Sequence, residues 1–216
     1  MPARFLADDR PEGHRRKTMS ATIPPQTTYS FTLFLRGPDV LDGEHFDALY
    51  EGGCDDALFG ERDGAQYAAF DRQAASFSAA LASAITAITS AVDGLSIVRI
   101  EPDELVTMAA IAERANLSRE SIRLLSRGDR GPGGFPAPVA YADHRTRLWH
   151  WPDVAHWLAE HDKAKVEVDA GAADLVAAMN AAFGLREHGQ HLRGEREIAL
   201  VTEALGDYPL ARGRVR

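Results

Sequence analysis

The sequence predicts an α+β protein, and three observations carry that prediction. Short β-branched or aromatic runs recur four times before residue 102, with two helical stretches between them. Beyond residue 105 the apolar spacing is mostly helical. Charge changes at about the same place. Residues 20–104 hold four basic and fourteen acidic side chains, a net of −10, whereas residues 105–150 hold seven Arg against four acids, a net of +3. The whole chain has 216 residues and a net charge of −8, with 45% hydrophobic and 26% charged residues. Such a length suits one large or two small folded domains of the usual ~100–200 residues.

Residues 1–28 carry Pro2, Pro11, Pro24 and Pro25, scattered charge and no periodicity, so they read as a disordered tail. Nothing before Met19 looks structural, which makes Met19 an alternative start to Met1. Residues 29–35 (YSFTLFL) read as a strand, broken by Gly37-Pro38-Asp39. Residues 41–50 place Leu41, Phe46, Leu49 and Tyr50 at helical spacing before Gly52-Gly53. Residues 57–59 and 65–70 flank Asp63-Gly64, a hairpin signal, and read as antiparallel strands. Residues 76–92 are Ala-rich, with Phe77, Leu81, Ile85 and Ile88 on one helical face and Asp93-Gly94 as the stop. Residues 95–100 (LSIVRI) form a strand ended by Glu101-Pro102. The order β-α-β-β-α-β over residues 29–102 is that of a ferredoxin-like unit.

Residues 103–162 read as a winged helix-turn-helix. A first helix over residues 108–117 turns Ile111, Ala112 and Ala115 inward, with Ala112 small enough for a close helix crossing. Asn116 tolerates the left-handed conformation that a tight turn needs. Leu117 is the apolar turn residue, and Ser118 is an N-cap for a second helix over residues 119–127, whose inner face holds Ile122 and Leu125. Arg119, Arg123 and Arg127 share one stripe of that helix, a repulsive arrangement that an anionic partner explains. Ser118, Glu120 and Ser121 lie near its N-terminus, within reach of phosphates or base edges. A flexible linker, Gly128 to Gly134 with Arg130 inside it, precedes a first wing strand at residues 135–139. The tip spans residues 141–146 and the returning strand residues 147–151. Pro152 suits the first turn of a further helix over residues 153–160.

In IAERANLSRESIRLL, followed by FPAPV, RLW and PDVAHWL, the chain resembles the MerR-like winged helix-turn-helix regulators, especially their AlpA/excisionase branch. The resemblance covers about residues 105–161. Its motif falls on Phe135, Pro136, Pro138, Trp149, Asp153, Val154 and Trp157. It implies that the aromatics and Val154 pack the wing onto the helices. It also implies that His144, Arg145 and Arg147 touch the DNA backbone or minor groove.

Residues 163–169 read as a linker. Residues 172–183 and 195–205 then form a helical hairpin broken at Gly184, with Leu175, Val176, Met179 and Phe183 on one helix and Ile198, Val201 and Leu205 on the other. The hairpin is too small to fold alone, so it packs on the winged helix or pairs with a second copy in a homodimer.

The expected function is therefore sequence-specific binding of double-stranded DNA, as in a transcriptional regulator. The expected contacts are Ser118, Arg119, Glu120, Ser121, Arg123, Arg127, Arg130, His144, Arg145 and Arg147. A second reading makes the acidic N-terminal unit an antitoxin-like module for a basic protein partner, and a third makes the chain an excisionase-like recombination factor. A small-ligand sensor ranks last, because no convergent polar pocket is legible. No G-x-S-x-G, nucleotide loop or paired catalytic set points to an enzyme, and no cofactor is expected. His150, His156, His161, His188 and His191 lack partners for a recognisable metal site. Cys54 is the single cysteine, and its acidic neighbours Asp55 and Asp56 favour an inert thiol. With no apolar run of ~18 residues and no signal-peptide core, a cytoplasmic location is expected.

Overall fold

The computed structural model describes residues 27–140 and 146–205. The tail expected before residue 27, the two candidate starts, and His144 and Arg145 at the wing tip lie outside the described residues. Seven helices and antiparallel strand pairing make the described chain mixed α+β.

The first six elements are β1 (Thr27–Arg36), α1 (Gly43–Glu51), β2 (Ala57–Arg62), β3 (Ala65–Ala74), α2 (Phe77–Ala91) and β4 (Ser96–Glu101). The strands form one sheet in the order β2-β3-β1-β4, with every neighbouring pair antiparallel. Alternation along β1 sends Phe31, Leu33 and Leu35 to the buried face. There they meet Leu49 of α1 and Leu81, Ala84 and Ile88 of α2. Asp63 and Gly64 both adopt positive φ, which makes the tight turn between β2 and β3 that their sequence predicts. Asp42 caps α1 through Glu44 N and Ser76 caps α2 through Ala79 N. Strand β1 begins at Thr27, so Thr27 and Thr28 belong to the sheet and not to the tail.

The remaining elements are β5 (Leu105–Thr107), α3 (Met108–Arg114), α4 (Arg119–Arg127), β6 (Leu148–His150), α5 (Trp151–Glu160), α6 (Ala170–Gly189) and α7 (Glu195–Leu205). Strand β5, which has no counterpart in the sequence reading, pairs with β6, which falls within the expected returning strand. The strand expected at residues 135–139 does not form. Pro136 and Pro138 have no N–H to give to a ladder, and only a single bridge joins Ala140 to Leu148. Helix α5 starts at Trp151, two residues earlier than expected, with Pro152 in its first turn.

Buried side chains fall into two clusters, one under the four-stranded sheet and one around α3, α4, β6 and α5. Helix α6 contributes to both, sending Val176 and Phe183 to the first and Ala173 to the second. It runs unbroken through Gly184, where a break was expected. Phe183 is buried, and Arg186, one turn beyond Phe183, donates to the Ile97 carbonyl, so tertiary contacts override the glycine. Asn180 completes the attachment along the outer edge of β4. The Ile100 N–H donates to Asn180 Oδ1 at 2.8 Å, and Asn180 Nδ2 donates to the Ile100 carbonyl at 3.0 Å and to Glu104 at 2.8 Å. An edge strand is thereby closed by a helix side chain. The expected C-terminal hairpin is not packed, because α7 buries no residue.

Candidate nucleic-acid interface

Helices α3 and α4 are set by their local sequence. Thr107 Oγ1 accepts from Ala110 N at the start of α3. At its end Asn116 takes φ 50°, and Leu117 N donates back to the Ala112 carbonyl at 2.7 Å. Ser118 Oγ accepts from Ser121 N at 3.1 Å and starts α4. Gly128, at φ 75°, closes it by donating to Leu124 and Leu125. Ile111, Ala112, Ala115, Ile122 and Leu125 are all buried at the crossing, while Leu117, expected inside, is half-buried.

The outward face of α4 carries Arg119, Glu120, Arg123 and Arg127. Arg123 is not a bare member of a repelling stripe. Its Nε and Nη2 donate to the two Glu120 carboxylate oxygens at 2.7 and 2.5 Å, a bidentate fork one turn apart. That fork holds the Glu120 carboxyl below its ordinary pKa and raises that of Arg123. Glu120 thus orients Arg123 while its own carboxylate stays exposed on the same outward face. Among the described residues Arg119 and Arg127 make no ion pair.

A cleft of about 860 Å³ opens between α4 and the segment that follows it. Arg119, Arg123, Arg127 and Arg147 all line it, over a floor that includes Met108, Pro136, Pro138 and Trp149. The far wall is braced by side-chain contacts. Trp149 Nε1 donates to the Pro136 carbonyl at 3.1 Å, and Trp157 Nε1 donates to the Gly133 carbonyl at 3.0 Å. Phe135 packs edge-on against Trp157 with ring centres 5.0 Å apart. The glycine run, expected as a flexible linker, is therefore pinned at Gly133 by one indole donor, and a second holds Pro136 just after it. Gly131 takes φ 84°, a left-handed conformation that favours glycine, and a Cβ there would lie 2.8 Å from Leu125 Cδ2, which would have to give way.

The remaining expected contacts separate from this set. Ser118 is spent on the cap. Ser121 and Arg130 line a second cleft of about 340 Å³ on the other flank of α4, together with Lys163 and Lys165. Lys165 N donates to the Ala115 carbonyl at 2.9 Å, which holds that segment against the end of α3. Sequence reasoning passed over both lysines. Their signal was present, since every Lys beyond residue 17 lies at 163 or 165, just past the last helix of this unit.

In the acidic sheet unit, Asp56 is half-buried. It accepts two hydrogen bonds from Arg72, whose guanidinium is buried and also reaches the Gly53 carbonyl and Ser83. Cys54 is buried beside this pair. Burial pushes its thiol up to about 11, with Arg72 opposing and Asp56 and Asp55 reinforcing the shift. Among the described residues no three His, Cys, Asp or Glu side chains converge on a metal position, and no helix is long and apolar enough to cross a membrane. No family model matches the chain, and neither a curated protein nor a solved structure matches it.

Proposed function

We propose that this chain is a sequence-specific binder of double-stranded DNA acting as a transcriptional regulator. The observation that carries the proposal is the convergence of Arg119, Arg123, Arg127 and Arg147 on one cleft beside an exposed helix. Four guanidiniums on one concave surface suit a polyanion, and Arg is the residue best shaped for phosphate forks and guanine edges. The β5-β6 pair and the Ala140–Leu148 bridge after α3 and α4 support the winged helix-turn-helix reading. The strand order β2-β3-β1-β4 supports the ferredoxin-like reading of the N-terminal unit.

In this account α4 enters the major groove, whose ~12 Å width admits a helix. Arg123, held by Glu120, reads a base edge. Arg119 and Arg127 flank it, and Arg147 grips the adjoining backbone from the wing. Lys163 and Lys165 add phosphate contacts on the opposite flank. The net charge of −10 on residues 20–104 turns the sheet unit away from the duplex.

In-cell mapping of the tagged full chain on genomic DNA tests the proposal. Discrete sites upstream of genes, including its own, are expected. Absence of enrichment anywhere overturns it. Sites confined to the ends of mobile elements would replace regulation with an excisionase-like role.

A further inference from the structure

We propose that the outer edge of β2, with the adjoining face of α1, binds an extended basic segment of a partner protein, which adds to the sheet as a fifth strand. The two edges of the sheet are treated differently. Asn180 and Arg186 close the outer edge of β4, whereas among the described residues β2 pairs only with β3. Strand β2 carries only part of the usual protection of a free edge, the charged residues Glu61 and Arg62 at its far end. It has no Lys and no Pro, and its register with β3 runs from Ala57 to Arg62 without a bulge.

The surroundings of that edge say what would pair there. Leu58 is 69% exposed on one side of β2. On the other side, Phe46 of α1 packs edge-on against Phe59 with ring centres 6.1 Å apart, which places α1 beside the edge. Phe46 and Tyr50, one turn apart on that helix, remain 41% and 58% exposed. A strand laid along β2 would thus find apolar contacts on both of its faces, with main-chain hydrogen bonds between them. The rim is acidic: Glu44, Asp47 and Glu51 of α1 and Glu61 of β2 are all exposed. The basic side chains of α1 and β2 are His45, whose ring contacts the Asp39 carbonyl, and Arg62, which sits over the Tyr67 ring. A basic strand complements this rim, while a second copy of the same acidic unit and a nucleic acid are both repelled by it.

The test uses the full chain and a nine-residue peptide of alternating Lys and Val, followed by calorimetry. Two controls accompany it: the same peptide with Glu for Lys, and the Lys peptide with alternate backbone amides methylated. The Lys–Val peptide should bind at least about tenfold tighter than either control. Phe46→Ala and Leu58→Thr should each weaken it severalfold with an unchanged circular dichroism spectrum, and Arg123→Ala should leave it unaffected. No binding of the Lys–Val peptide, or binding indifferent to amide methylation, overturns the proposal. So does a dimer in sedimentation that Leu58→Thr dissociates, because the edge would then be covered by a second copy.

Discussion

Asn180 joins the helix shared by both cores to the edge of the sheet, and its removal has a calculable cost. Asn180→Ala deletes three hydrogen bonds, two to the Ile100 backbone and one to Glu104. Each is worth about 0.5–1.5 kcal/mol, and a buried group left without a partner costs ~1–3 kcal/mol. Asn180 is half-buried, so water replaces some of the loss, and a net destabilisation of about 2–3 kcal/mol follows. Urea unfolding measures it, at roughly 1 M in midpoint for a slope of ~2–3 kcal/mol/M. Trp149, Trp151 and Trp157 all sit in the second buried cluster, so fluorescence reports that cluster while circular dichroism reports the whole chain. Both probes should shift together, because α6 belongs to both cores. Asn180→Asp should be worse at neutral pH, since a second oxygen would face the Ile100 carbonyl and Glu104. It should partly recover in acid, where the protonated carboxyl can donate again. A shift below about 0.5 kcal/mol for Asn180→Ala, or a fluorescence transition that does not move, would refute this view of α6.

Three further predictions follow from the site and its supports. Glu120→Gln releases Arg123 for phosphate, so non-specific duplex affinity should rise and the log-log salt slope should steepen by about 0.9, measured by fluorescence anisotropy; an unchanged slope contradicts the role given to Glu120. Asn116→Val places a β-branched residue at φ 50° and should lower stability by about 1–2 kcal/mol in thermal melts, whereas Asn116→Gly should be near neutral. With its thiol pushed up to about 11, Cys54 should be ionised in only about one molecule in a thousand at pH 8. It should react with a thiol reagent only on unfolding, and rapid labelling of the native chain would contradict its burial.

Local chemistry made some of this structure readable from the chain. Asp63-Gly64, Asn116 and Ser118 each carry their own reason for the conformation they adopt, and the structure uses each as its type suggests. What stayed hidden depends on distant partners. Strand β5 is three residues long and exists only because β6 returns to it. Gly184 looked like a stop because the contacts of Phe183 and Arg186 with the sheet are not visible in a helix pattern. The run from Gly128 to Gly134 looked flexible because the indole donor that holds it at Gly133 comes from Trp157, well downstream. At the candidate site, the arginine stripe was legible from spacing alone, but its meeting with Arg147 was not. The Glu120–Arg123 fork was within reach, since three-residue spacing on a helix brings such groups together.

Specific duplex recognition through the cleft of Arg119, Arg123, Arg127 and Arg147 is tested most directly by anisotropy titrations of the full chain. The duplexes are one recovered by selection from a random pool and a scrambled control, compared at several salt concentrations. The selected duplex should bind at least about a thousandfold tighter than the control at physiological salt. A variant combining Arg119→Ala, Arg123→Ala and Arg127→Ala should lose that preference while keeping its circular dichroism spectrum. A pool that yields no preferred sequence, or a triple variant that retains the preference, would contradict the account.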